Sequence, residues 1–300
     1  MHKGHPWGRL AVFLLLMTIA GSRPLFAQID LSGEWTGRAH EDQPHRAPGA
    51  FLGDYTGLPI NDAARLKADS WDASIMAGPE HMCIPHPAMY STRGPNNMVI
   101  QRITDPDTQA LIGFTLYGLY YRQTRTIWMD GRPHPSRFAP HTSEGFSTGR
   151  FEGQMLTVDT SHIKIGWIQR NGVASSDETT MTEHFIRNGD QLTVVTLVND
   201  PIYLTEPFIR STNWVFNPNQ QLAGLTVNRC DVADEVAPRP RGYVPHYLPG
   251  EPGERDRLTQ FAKEYGLPQE AARGGAETTY PEYMAKLQQL LKQMQGAAGK

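Results

Sequence analysis

Cysteine is almost absent: Cys83 and Cys230 are the only two in 300 residues. Zinc sites of the Cys-x-x-Cys type are thereby excluded. What remains is one disulfide joining an early segment to a late strand, or two buried thiols. Cys83 sits in HMCIPH, where no helix terminus is evident to lower its pKa, so neither cysteine reads as a nucleophile. An excess of positive charge is also missing, with 28 Lys and Arg against 31 Asp and Glu and a net charge of −3. Without a basic stripe the chain lacks the footprint that phosphate backbones demand, and nucleic acid is not an expected partner. Long apolar runs are missing after residue 20, so no membrane span is expected in the mature chain.

The one apolar run present, Leu10 to Ala20, follows Lys3 and Arg9 and precedes a cleavage pattern with Leu25 and Ala27 at the recognition positions. It is too short for a bilayer, which takes roughly 20 apolar residues. Residues 1–27 therefore read as an export signal, with a mature chain from Gln28 in a periplasmic or secreted location. Loss of Lys3, Arg9 and Arg23 makes that mature chain more acidic still.

Past the signal the pattern is that of short strands. Gly33 and Trp35 in DLSGEWTG stand like the G-x-W of the first strand in lipocalin-like barrels. Residues 38–60 are rich in Gly, Pro and His and read as irregular covering, and Asn61 is placed to cap a helix from Asp62 to about Ser74. Strands are predicted near 97–104, 109–117, 120–129, 145–151, 154–160, 178–187, 191–199 and 207–216. Asp130-Gly131, Glu152-Gly153, Asn188-Gly189 and Asp200-Pro201 are among the turns between them. No helices interleave, so the fold expected is mainly β: an antiparallel meander closing into a lipocalin-like barrel or curling into a sandwich. Residues 236–253 read as a wrapping segment, followed by two C-terminal helices, one from about Glu254 to Tyr265 and one from Pro281. The second carries an apolar stripe of Met284, Leu287, Leu291 and Met294, expected to pack on the protein's own sheet. The divisions expected are 1–27, a β domain over 28–235, and 236–300.

The segments CIPHPAMYSTRGP, IWMDGRPHP, GFSTGRFEGQMLTVDTSHIKIGW, TEHFIR and DPIYLTEPF together resemble a large family of exported, β-rich bacterial proteins usually labelled hypothetical. The likeness covers about residues 30 to 230, with HYLPG and GGAETTYPEY in the tail. It implies an exported β-rich protein and no particular activity. His162 and Lys164 depart from the family pattern, which is apolar or Asn-Asp there, and so point to a chemistry of a subgroup. Phe151 stands where the pattern has Trp. GFSTG fits the expression of the hydrolase elbow, but a hairpin follows where the elbow needs a strand-to-helix turn, so Ser147 is not a candidate nucleophile.

Ionisable residues crowd between Trp128 and Trp167. Strands that alternate faces would aim several of them into one cavity, which makes the segment the candidate site. His134, His141, His162 and Lys164 are read as an acid/base group, with Asp130 and Arg132 orienting a substrate or holding an oxyanion. The alternative for Asp130, Arg132 and His134 is a purely structural turn. Glu144, Trp128, Trp167 and Tyr203 are the candidate substrate contacts. No cofactor is predicted; a metal ion, if bound, would fall to His134, His141 and His162, although Lys164 adds repulsion and the spacing fits no compact ligand motif. Glu183 and His184 are adjacent on one strand, so only one can face inward. The function expected is an exported enzyme of lyase or hydrolase type, acting on a small, partly apolar or aromatic molecule. The alternative is a non-catalytic periplasmic barrel that binds an apolar ligand or a metal ion.

Overall fold

The computed structural model describes residues 29–38, 53–71, 87–92, 97–118, 124–169, 171–219 and 256–298. The proposed signal, both cysteines, the four histidines between His40 and His86, and the wrapping segment lie outside them. In chain order the strands are β1 (Gly33–Gly37), β2 (Met98–Thr104), β3 (Leu111–Tyr117), β4 (Arg125–Trp128), β5 (Phe146–Glu152), β6 (Met155–Ser161), β7 (Gly166–Trp167), β8 (Ala174–Ser175), β9 (Thr180–Asn188), β10 (Gln191–Asn199) and β11 (Phe208–Asn217). Alternation decides which way they face. In β10 Leu192, Val194, Thr196 and Val198 are buried, and in β9 Met181, Glu183 and Phe185. A sheet with one apolar face hides it and its edges most fully by closing on itself.

Nine strands form that closed barrel in the order β1-β11-β10-β9-β6-β5-β4-β3-β2, while β7 and β8 make a separate hairpin. The barrel is thus the form adopted, rather than a sandwich. Eight neighbouring pairs are antiparallel; the exception to the expected meander is β4 with β5, which run parallel. The chain between them holds Pro133, Pro135 and Pro140, which lack the N–H a returning strand needs, so it crosses back over the wall as an irregular loop. This seam is also the shortest pairing in the barrel, with only Ile127↔Ser147 and Trp128↔Thr148 in register.

Two apolar clusters fill the interior at different levels. One holds Trp35, Met98, Phe114, Ile127, Val158, Phe185, Val194 and Trp214. The other caps the barrel end with Tyr55, Ile60, Met89, Ile163, Met181 and Val198. Each fully buried large side chain stabilises the fold by about 1.5–3 kcal/mol. Between the clusters runs a polar belt, because Glu183 falls between Met181 and Phe185 on β9 and Thr196 between Val194 and Val198 on β10.

The first helix, α1 (Asp62–Asp69), starts where Asn61 caps it by accepting from the Ala64 amide at 3.0 Å, and it ends five residues before the predicted Ser74. A short helix, α2 (Ala88–Ser91), follows in the plug that carries Met89. The C-terminal part has more helix than the two pieces expected: α3 (Arg257–Glu264), α4 (Gln269–Arg273), a 3-10 turn at Ala276–Thr279 and α5 (Pro281–Ala298). The apolar stripe of α5 packs only in part, since Leu287 is buried but Met284 and Met294 are each 43% exposed.

Candidate functional site

The loop that links β4 to β5 lies against the outside of the barrel, and it carries most of the predicted site. Arg132 pairs with Asp130 through both carboxylate oxygens and lays its guanidinium 3.6 Å from the centre of the Trp128 ring. His134 bridges Ser161 Oγ at 2.6 Å and Thr148 Oγ1 at 2.9 Å, on the outward face of β5. Ser161 Oγ also meets His162 Nδ1 at 2.7 Å, His162 Nε2 meets the Ser136 carbonyl at 2.9 Å, and His141 stacks on His162 at 5.2 Å.

The Ser136 carbonyl can only accept, so it fixes the direction of this chain when both rings are neutral. His162 Nε2–H donates to it, Ser161 donates to His162 Nδ1, His134 Nδ1–H donates to Ser161, and Thr148 donates to His134 Nε2. The three histidines therefore meet, but as a clasp that holds the loop to the wall. Burial holds the His134 imidazole below its usual range, with His162 lowering it further and Asp159 pulling it up.

His162 and Lys164 are not among the residues that strand alternation brings inward. Strand parity would send His162 inside after Val158 and Thr160, but His162 adopts a positive φ of 57°, which breaks the alternation. Ile163 takes the buried place at 0% exposure, and Lys164 points to solvent. Trp167 packs on Trp71 at 5.0 Å, and the Tyr203 hydroxyl accepts from Lys67 at 3.2 Å, so these two predicted contacts lie away from the loop. Among the described residues no three His, Cys, Asp or Glu side chains gather as a metal-binding group.

Behind the β4–β5 seam lies a second set of ionisable groups. Arg125, 1% exposed, donates from Nε to Ser147 Oγ at 3.0 Å and from Nη2 to Thr160 Oγ1 at 2.7 Å. Its Nη1 lies 2.5 Å from Glu183 Oε2, and the other Glu183 oxygen accepts from the Thr92 hydroxyl at 3.0 Å. A buried pair of this kind is tolerated only with further hydrogen bonds, which Ser147, Thr160 and Thr92 supply to Arg125 Nε, Arg125 Nη2 and Glu183 Oε1. His184, the outward neighbour of Glu183, bonds Thr157 at 3.1 Å.

Glu144 is the group left over. It sits in a turn closed by the Gly145 amide donating to the Thr142 carbonyl, and the Ala88 amide donates to the Ser143 carbonyl at 2.8 Å. Gly145 has φ of 65°, and a Cβ there would stand 2.5 Å from the Ser161 carbonyl oxygen, so glycine is required for the turn to seat. Both Glu144 carboxylate oxygens are sealed from water, and neither has a hydrogen-bond partner among the described residues. Burial pushes this carboxyl up to about 7; the Arg125 guanidinium pulls it down and the Glu183 carboxylate pushes it up.

Glu144 is one of the residues that line an open cleft of about 480 Å³ at the seam, its two carboxylate oxygens lying beneath the surface of the wall. Thr124, Thr126 and Trp128 form one side and the 142–147 turn, with Phe146, the other. Ser147 lines the cleft too, and so joins it to the Arg125 network. Of the predicted residues, then, Glu144 and Trp128 come together in the cleft, and His134 abuts it through an edge contact with Phe146 at 5.3 Å. Arg125 and Glu183 escaped prediction as a pair, although the inward parity of each, with Ile127 and with Phe185, was visible. The chain matches no protein-family model, no curated protein and no solved structure.

Proposed function

We propose that the protein is an enzyme of lyase or hydrolase type in which Glu144 moves a proton on a small, partly aromatic molecule held in the seam cleft. What carries this reading is the Glu144 carboxylate, unpartnered among the described residues and sealed from water at the cleft wall. A carboxyl with a pKa near 7 is present in both forms at neutral pH, so it takes a proton from a bound water or carbon acid and returns one to a leaving group. The cleft volume suits a small molecule, and Trp128 and Phe146 offer it flat apolar surface. The clasp of His134 and His162 is assigned the supporting task of holding the loop that presents Glu144. Export of the mature chain from residue 28 is part of the same proposal, resting on the pattern of residues 1–27.

The rival, a barrel that carries an apolar ligand in its lumen, has less support. The inward positions of Trp35, Phe114, Phe185 and Trp214 already fill that space with fully buried rings.

The test is a panel of small esters, amides and eliminable acids assayed with the protein and with Glu144→Gln and His162→Ala variants. The variant at Glu144 is expected to lower kcat/KM about 10²–10⁴-fold, the usual contribution of one acid/base group, and to remove a pH inflection near 7. Activity that survives at Glu144→Gln but disappears at His162→Ala would move the chemistry to the histidine clasp and overturn the proposal.

A further inference from the structure

The chemistry of the cleft also narrows what it binds, on the assumption that Glu144 is its working group. Among the described residues no Lys, Arg or His lines it; the lining is Thr, Ser, Gly, Trp, Phe and the one Glu. The Arg125 guanidinium, which acts on Glu144 through space, is committed to Ser147, Thr160 and Glu183, and Arg132 above the Trp128 ring is neutralised by Asp130. Among the described residues an anionic substrate would meet a carboxylate without a compensating cation. A positively charged one would supply the partner that Glu144 lacks. Aromatic rings next to a carboxylate favour the same sign of ligand, since their faces attract cations while their edges and faces bury flat apolar groups.

We propose that the cleft takes a small amine as its ammonium ion, with the charge on the Glu144 carboxylate and a flat apolar group beside Trp128 and Phe146. The groups that face Glu144 set the pH response. Arg125 from β4 and Glu183 from β9 act on it in opposite senses, and burial dominates both. An ammonium ion binds the ionised carboxylate, so affinity rises with pH through about 7, and binding below that pH releases close to one proton from Glu144.

Benzylamine, benzyl alcohol and phenylacetate test this as a matched cation, neutral and anion series, titrated into the full mature protein by calorimetry at pH 6 and pH 8. Benzylamine stays protonated over that range. It is expected to bind at least about tenfold tighter than either analogue at pH 8, to weaken about tenfold at pH 6 as Glu144 takes up its proton, and to lose its advantage in Glu144→Gln. Phenylacetate binding as well as or better than benzylamine, or the absence of any preference, would overturn the amine assignment. Carboxyl carbon NMR of Glu144 separates the two proposals. A midpoint near 7 with no amine preference leaves the acid/base reading standing alone, whereas a midpoint near the ordinary Glu value of 4.5 removes the basis of both.

Discussion

The two ionisable clusters on either side of the β4–β5 wall differ in how completely they are satisfied. Outside, Asp130 and Arg132 neutralise each other, and the nitrogens of His134 and His162 all have partners in Ser161, Thr148 and Ser136. Inside, Arg125 and Glu183 hold each other as an ion pair braced by Ser147, Thr160 and Thr92, yet Glu144 beside them has no partner for either oxygen among the described residues. A saturated polar cluster holds a structure together and has little left to offer a ligand. A buried group that water has left and nothing has replaced stores a free energy that a proton or a ligand can release.

The largest break of this comparison is expected at the inner pair. Glu183→Gln leaves the Arg125 guanidinium buried without its counter-charge, which costs about 3–5 kcal/mol. Urea unfolding followed by tryptophan fluorescence measures it, and a loss below about 1 kcal/mol would mean the belt is not what holds the strands at that level. Glu144→Gln should act in the opposite direction. The folded carboxyl titrates near 7 and the unfolded one near 4.5, so the folded state binds the proton more tightly. Its contribution is fully present below pH 4.5 and is lost as pH rises through about 7. The variant is therefore expected to be more stable than the parent by about 3 kcal/mol at pH 8, the two converging in acid. Asp69, whose carboxyl burial raises to about 6, falls with the same sign in both proteins and cancels from their difference. Equal stability curves would show that Glu144 is solvated or partnered in solution.

The smallest effect belongs to the outer clasp. Ser161→Ala removes the hydroxyl shared by His134 and His162 and should cost about 1 kcal/mol at pH 8, with the Glu144 midpoint unchanged. The folded His134 pKa lies below its ordinary value, so its contribution is present above about 6.5 and fades as pH falls through the folded pKa. Melting curves of parent and variant should approach each other in acid. A shift of the Glu144 midpoint in Ser161→Ala would join the clusters into one unit and erase the contrast between them.

Most of the barrel was legible because it rests on local signals. Period-two alternation in β9 and β10, the Glu152-Gly153 and Asn188-Gly189 turns, and the capping Asn61 act within a few residues of themselves, and the structure has them where the pattern put them. The parallel seam was not legible, since only the return of the chain across the wall shows that three prolines had prevented a hairpin. The crowding between Trp128 and Trp167 was legible, and Trp128 and Glu144 of that segment do line a cleft, but His162 and Lys164 do not. One residue, His162, leaves the strand conformation, and that turns it and Lys164 outward. Local sequence thus determined the strands, their turns and the inward set of each. Which charges found partners was decided by the tertiary structure, because satisfaction is a property of neighbours: Arg125 meets Glu183 across 58 positions of chain, and no pattern within a strand records that Glu144 would find none among the described residues.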